Sequence, residues 1–311
     1  MNSRQIIADA WHFTGENKKL MWWYAFIPSL LTTLIGILYL AYQFFAFKKS
    51  KIFDNAEHGF LSDVISTIVN FFKNNGELIV PSIVVVGIIL LFYFLLPTLY
   101  EGGMIQLIAK KRKGEHVRMM SGLSYGLLTF LPLLEYNLLI KSFSLFSLLA
   151  EAAFIWRNLG TEPFQALLPI FIVAAIVFLI LTLLFTYSEF FLVLDRTPVL
   201  RSMGRSAKLV IVSWQHTFLI GILMLIISLR VFINIIAVLL VPLLLFVSAG
   251  VLATIALPAT IGYLIAIIIS FVGLFVASYF NGIISVFATA VWTFTFMELM
   301  HEKETKELMA E

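Results

Sequence analysis

Residues 79–107 read IVPSIVVVGIILLFYFLLPTLYEGGMIQL, and this apolar stretch decides the fold class. It contains no charged residue before Glu101. An α-helix needs about 20 mainly apolar residues to cross the ~30 Å hydrocarbon core of a bilayer. The stretch is longer than this minimum and therefore predicts a transmembrane helix.

Other apolar stretches along the chain meet the same length criterion. Together they predict about six membrane spans arranged as three hairpins. We therefore expect an all-α, polytopic transmembrane helical bundle. The predicted spans are Leu20–Phe47, Ile79–Leu107, Tyr125–Leu149, Phe164–Leu194, His216–Phe246 and Thr260–Met297.

The composition excludes a soluble globular protein. Of the 311 residues, 61% are hydrophobic, 13% are charged and 30 are phenylalanine, and the mean hydropathy is +0.99. Soluble domains carry roughly 25% charged residues. We therefore expect a single integral membrane domain over residues 1–311. The sequence has no cysteine, which excludes a disulfide framework and a thiolate metal site.

Lysine and arginine are distributed unevenly between the loops. The loops around Lys110 and Arg201 and both ends of the chain hold most of the basic residues. Basic residues in short loops are retained on the cytoplasmic side of a membrane. We therefore expect both termini to be cytoplasmic and residues 301–311 to form a charged, helical tail there. The basic residues form no surface typical of nucleic-acid binding.

A short amphipathic segment precedes each pair of spans. In the third segment, Arg201, Arg205 and Lys208 lie on a different face from the regularly spaced apolar residues, as in an elbow helix at the membrane interface. These three cations are candidate contacts for anionic lipid headgroups. A regulatory or partner-binding helix is the alternative. The three segments are residues 5–16, 117–125 and 198–212, and the units that they open are about 1–110, 111–196 and 197–300.

Four ionisable residues, Glu101, Glu135, Glu189 and Arg230, fall inside predicted spans. Charges in the hydrocarbon core are costly, so each is a candidate functional residue. We expect Arg230 to pair with Glu135 or Glu189, either in a working site or in a purely structural ion pair. Nearby polar residues that either line a cleft or bond between helices are Tyr136, Asn137, Tyr187 and Ser188.

The sequence contains no motif for catalysis, cofactor binding or metal binding. Its five histidines are isolated, without a His-Glu-x-x-His pair. Residues 122–126 read GLSYG, but they open a membrane helix rather than the strand-to-helix turn of a nucleophile elbow. We therefore expect a non-enzymatic protein without catalytic, cofactor-binding or metal-binding residues.

Three segments resemble a known family. They read LYEGGMIQLIAKKRKGE at 99–115, LRSMGRSAKLVIVSW at 200–214 and ATAVWTFTFMELM at 288–300. They resemble bacterial multi-pass membrane proteins like the membrane domain of glycerophosphoryl diester phosphodiesterase, and Arg205-Ser206 is the sharpest match. The resemblance implies residence in a bacterial inner (plasma) membrane. In bifunctional relatives the hydrolase is a separate soluble barrel outside this region, so we do not expect phosphodiesterase activity.

Three functions fit these patterns. The first is a scaffold or accessory subunit in a membrane or lipid-linked process. The second is a transporter or lipid-handling protein that uses an intramembrane charged cleft, and the third is the membrane subunit of a separately encoded enzyme. A cavity at mid-depth beside the intramembrane charges favours transport, whereas a sealed ion pair favours a scaffold. In each case the expected partners include membrane lipids, with anionic phospholipid at the cytoplasmic elbows.

Overall fold

The computed structural model describes residues 3–48, 60–141, 144–227, 229 and 259–308. All regular structure in these residues is helical. The longer helices are α1 (Ser3–Glu16), α2 (Phe26–Lys48), α3 (Phe60–Asn74), α4 (Ile79–Arg112), α5 (Ser121–Lys141), α6 (Leu145–Leu159), α7 (Thr161–Leu184), α8 (Ser188–Leu194), α9 (Val199–Val212), α10 (Trp214–Ile227) and α11 (Ala259–Leu308). Short helical segments at Lys18–Leu20, Met21–Ala25 (a π-helix) and Gly76–Leu78 (a 3₁₀-helix) precede α2 and α4.

Five helical segments of the described chain are long and apolar enough to cross a membrane. The bent pair α9 and α10, whose axes differ by 97°, brings the number to six if the pair forms one span. The prediction of an all-helical, polytopic membrane protein is therefore confirmed. The five segments are Lys18–Tyr39, Gly76–Arg112, Ser121–Ile140, Thr161–Leu194 and Phe271–Thr305.

Most predicted span boundaries agree with the helices, but the third does not. The predicted span Tyr125–Leu149 ends earlier, because α5 stops at Lys141. A separate helix, α6, then begins after Ser144, whose hydroxyl accepts a hydrogen bond from the Ser147 N–H at 3.1 Å. A serine at this position satisfies an N–H group that the first helical turn leaves unpaired. The fifth predicted span lies mostly outside the described residues.

The amphipathic segments are helical at two of their three predicted positions, in α1 and α9. The second prediction, residues 117–125, is wrong as a separate helix: residues 115–118 have no regular structure and α5 starts at Ser121. Gly114, with φ +78°, ends α4. The Glu115 N–H donates to Lys110 O and the Gly114 N–H donates to Lys111 O, which is a Schellman C-cap. After this cap, residues 115–120 join α4 to α5 without a helix of their own.

Glycines set the distance between α4 and α5. A Cβ atom on Gly103 would collide with the backbone carbonyl of Gly122, and one on Gly126 would collide with the carbonyl of Leu99. Gly122 and Gly126 therefore form a G-x-x-x-G face, which lets helix backbones approach closely inside a membrane. The GLSYG stretch is a packing surface rather than a catalytic turn.

The bundle has a packed half and an open half. The packed half contains Lys110 and the buried core, in which Thr98–Ala109 of α4 meets α1, α5, α8, α9 and the end of α11. The open half contains α7 and residues 79–94 of α4. No described residue of α7 is buried, and apolar side chains such as Val80 (69% exposed) and Ile83 (65% exposed) face outward. Lipid covers such surfaces in a membrane protein.

Candidate functional site

A helix break between α7 and α8 lies beside a group of polar residues in the bundle. Residues 185–187 separate the two helices without a proline or glycine. The fully buried Ser206 hydroxyl donates to Leu184 O at 2.7 Å and accepts from the Tyr187 N–H at 3.0 Å. The Tyr136 hydroxyl donates to Phe185 O at 3.0 Å. Side chains of α5 and α9 thus satisfy backbone groups that the break would otherwise leave unpaired.

The fourth predicted span, Phe164–Leu194, agrees with the candidate span Thr161–Leu194, but its helix is interrupted. It consists of α7 and α8 with an interruption at 185–187. The partners that satisfy the break, Ser206 and Tyr136, are distant in sequence and cannot be recognised from hydropathy.

Six polar residues from α4, α5 and α8 meet beside this break, and we call them the polar cluster. The Asn137 amide donates to Glu101 Oε2 at 3.2 Å and to Thr98 Oγ1 at 3.3 Å. The Tyr136 phenol lies within electrostatic reach of the carboxylates of both Glu101 and Glu189. The cluster therefore brings two acidic residues to one tyrosine. Its members are Thr98, Glu101, Tyr136, Asn137, Ser188 and Glu189.

The Ser188 hydroxyl is an exception to the good pairing of this cluster. Its side chain is completely buried, and its Oγ makes no hydrogen bond of good geometry among the residues that the structure describes, although the Tyr136 phenol lies within reach of it. An unsatisfied buried hydroxyl costs about 1–3 kcal/mol, and native proteins keep few of them. The Ser188 hydroxyl could therefore form a further hydrogen bond within the cluster.

Part of the cluster lies within the candidate span Gly76–Arg112. Glu101 precedes Lys110 by nine residues in α4, which is about 13 Å along a helix axis. The carboxylate of Glu101 therefore belongs to a candidate membrane span, towards its basic end.

A cavity of about 460 Å³, which we call the groove, opens beside the polar cluster. Its floor contains Thr98 and Asn137, which are 2% and 5% exposed, whereas Phe94 and Leu138 on its rim are 55% and 59% exposed. An apolar rim with a few polar groups at the floor is typical of a ligand site. Its lining is Thr32, Tyr93, Phe94, Pro97, Thr98, Leu134, Asn137, Leu138 and Ser147.

The structure describes three of the four predicted intramembrane charges, and these three do not share one site. Glu101 and Glu189 both lie within electrostatic reach of Tyr136 in the polar cluster. Glu135 lies on an exposed face of α5, although it is adjacent in sequence to Tyr136. Arg230 lies outside the described residues, so its predicted pairing with Glu135 or Glu189 stays a prediction.

Arg157 is a buried cation that the sequence interpretation missed. It lies in α6 and is 5% exposed, and its guanidinium donates to Gln43 Oε1 at 2.8 Å and to Tyr42 Oη at 3.0 Å. These bonds connect α6 to α2. An arginine within an apolar stretch is a usable signal for a contact of this kind.

Two of the three predicted headgroup contacts lie together at a second cavity, which we call the basic pocket. Arg205 and Lys208 line this cavity of about 350 Å³ between α9 and α11. Arg201 is exposed on α9 and is not part of the lining. The lining residues are Phe191, Arg205, Lys208, Leu209, Val212, Ser213, Leu299, Met300, Glu302 and Lys303.

A third cavity of about 520 Å³ lies at the same end of the bundle, and its lining mixes both signs of charge. Two of its cations are paired: Lys110 binds Glu115 at 2.8 Å and Arg112 binds Asp9 at 3.0 Å. Because carboxylates and cations alternate around it, this cavity has no clear preference for an anion or a cation. Its carboxylates are Glu115, Asp195, Glu298 and Glu304.

No group of three His, Asp or Glu residues in the described ranges has an arrangement that could hold a metal ion. The polar contacts described above are hydrogen bonds and charge pairs. A comparison of the chain with protein-family models, curated proteins and solved structures finds no match.

Proposed function

We propose that this protein is a lipid-handling membrane protein that admits a lipid-like amphiphile to the groove. The main support for this proposal is the groove itself, which has an exposed apolar rim and a buried polar floor. The apolar part of the amphiphile lies between Phe94 and Leu138, and its polar part reaches Thr98 and Asn137. Asn137 connects this floor to the carboxylate of Glu101.

A scaffold explains this arrangement less well. A carboxylate in the hydrocarbon core is costly unless it is paired or functional, and Glu101 receives its hydrogen bond from the neutral amide of Asn137. Two members of the cluster, Thr98 and Asn137, line a cavity. These features favour a site that exchanges hydrogen bonds with a ligand.

The proposed orientation follows the basic residues. α1, the end of α4 and the end of α11 meet at one end of the bundle, where Arg112 pairs with Asp9 and His301 lies near Lys110. We propose that this end is cytoplasmic, as the positive-inside rule indicates. The groove then faces the half of the bilayer away from the cytosol.

The proposed three-hairpin arrangement, with elbow helices before the first and third hairpins, rests on α1 and α9. Each of these short helices directly precedes a longer apolar segment, and α9 meets α10 at 97°. A short amphipathic helix at such an angle to a span is typical of an element lying in the interface. This arrangement leaves the groove between the first and second hairpins.

The test is movement of lipid in liposomes that contain a fluorescent phospholipid. We expect the full chain to accelerate exchange between leaflets above empty liposomes. Glu101→Gln removes the charge from the bond with Asn137, and hydrogen bonds to charged groups contribute about 1.5–3 kcal/mol. We therefore expect a loss of roughly tenfold or more in the rate.

Glu135→Gln is the matched control, because it makes the same chemical change on an exposed position of α5, outside the lining of the groove. We expect this variant to keep the wild-type rate within about twofold. Exchange no faster than in empty liposomes, or equal losses in both variants, would argue against the groove as the working site.

A further inference from the structure

The basic pocket combines cations from two elements with an apolar floor. Arg205 and Lys208 come from α9, and Lys303 comes from α11. Glu302 also lines the pocket. Cations therefore outnumber carboxylates in the lining, in contrast to the mixed-charge cavity beside it. The apolar residues of the floor are Phe191, Leu209, Val212, Leu299 and Met300.

Arg205 is held in place before any ligand binds. Its Nη1 atom lies 3.0 Å from Asp195 Oδ2, and its guanidinium lies over the Phe191 ring, 4.6 Å from the ring centroid. A guanidinium has five N–H donors, so the contact with Asp195 leaves others for a ligand. Fixing a side chain in advance lowers the entropy lost on binding.

The surroundings of the pocket indicate its depth in the membrane. At the end of α9, Ile211 and Val212 are 65% and 76% exposed, and Trp214 at the start of α10 is 58% exposed. Lys208 on the same helix is exposed as well. Exposed apolar side chains, a tryptophan and a lysine close together are typical of the boundary between headgroups and acyl chains.

We propose that the basic pocket binds the phosphate group of an anionic phospholipid. The phosphate lies between Arg205, Lys208 and Lys303, and the glycerol and the first acyl carbons cover the apolar floor. An arginine matches phosphate oxygens with paired N–H donors, whereas lysines supply point charges. Inorganic phosphate has the same charge chemistry but lacks the glycerol and acyl chains that would contact the apolar floor. We therefore expect it to bind far more weakly. This site is separate from the groove and does not depend on the proposed function.

The experiment is native mass spectrometry of the detergent-solubilised full chain, which counts bound lipids at each concentration. The probes are phosphatidylglycerol, phosphatidylcholine and inorganic phosphate. We expect phosphatidylglycerol to bind most tightly. The double variant Lys208→Gln/Lys303→Gln should weaken it by roughly tenfold or more, since each basic residue near an anionic headgroup contributes about 1 kcal/mol. Both side chains are exposed, so the variant should fold.

Arg201→Gln is the matched control, because Arg201 is an exposed cation of the same helix outside the pocket. We expect it to change the affinity for phosphatidylglycerol by less than about twofold. An equal loss in this control would show general surface attraction instead of a site. Equal binding of phosphatidylcholine, or binding of inorganic phosphate as tight as that of the lipid, would also overturn the proposal.

Discussion

The two halves of α4 meet the rest of the protein in different ways. From Thr98 to Ala109 most side chains are buried, and Gly103 touches the backbone of α5. In residues 79–94 most apolar side chains are exposed, and Gly87 has no neighbouring atom where a Cβ would lie. Because α4 packs closely against the bundle at residues 98–109 and is separated from it at residues 79–94, a space opens where these two parts of the helix meet. The groove occupies that junction, so the packing that stabilises the bundle also shapes the candidate site.

The variants with the largest expected difference add one methyl group to each half of α4. Gly103→Ala places a Cβ against the carbonyl of Gly122 and should destabilise the fold by about 3 kcal/mol, as overpacking of a fixed backbone contact does. Gly87→Ala makes the same change where space is open. It should be neutral or stabilising by up to about 1 kcal/mol, because alanine is the better helix former.

The measurement is denaturant unfolding in mixed micelles, followed by tryptophan fluorescence. Equal stability of the two variants would mean that the glycine contact does not hold α4 and α5 together. The comparison between packed and open halves would then fail.

A smaller effect distinguishes two serines of the packed half. Ser206→Ala leaves Leu184 O and the Tyr187 N–H without their side-chain partner and should destabilise the fold by about 2 kcal/mol. Ser188→Ala removes a buried hydroxyl that makes no hydrogen bond of good geometry in the described chain, so it should be neutral or stabilising by about 1 kcal/mol. The same unfolding titration measures both. A large loss for Ser188→Ala would reveal a partner for this hydroxyl and weaken its assignment as free hydrogen-bonding capacity.

Hydropathy alone predicted the helical class and most span limits, because the ~30 Å hydrocarbon core imposes a minimum length on every crossing. The cost of a buried charge also selected Glu101 and Glu189 from the sequence. Their convergence on Tyr136 depends on how α4, α5 and α8 are rotated, and a single sequence does not specify that rotation.

Other features of the structure were not predicted from the sequence, and the reasons can be identified. The break at 185–187 depends on Ser206, which is distant in sequence, and no local residue marks it. In place of the second elbow helix, the C-cap at Gly114 and a short non-helical link lead to α5 at Ser121. The spacing of Gly122 and Gly126, by contrast, carried a readable signal for close helix packing.

The most direct test of the groove uses a phospholipid with a photoreactive group on its glycerol, with cross-linked peptides mapped by mass spectrometry. Ordinary lipids keep their glycerol at the interface, about half the hydrocarbon thickness of ~30 Å from the centre of the bilayer. If an amphiphile enters the groove, the label should reach peptides that contain Thr98 or Asn137, and Asn137→Leu should reduce this labelling. Labelling confined to the interfaces, near Lys110 and the elbow helices, would contradict the account.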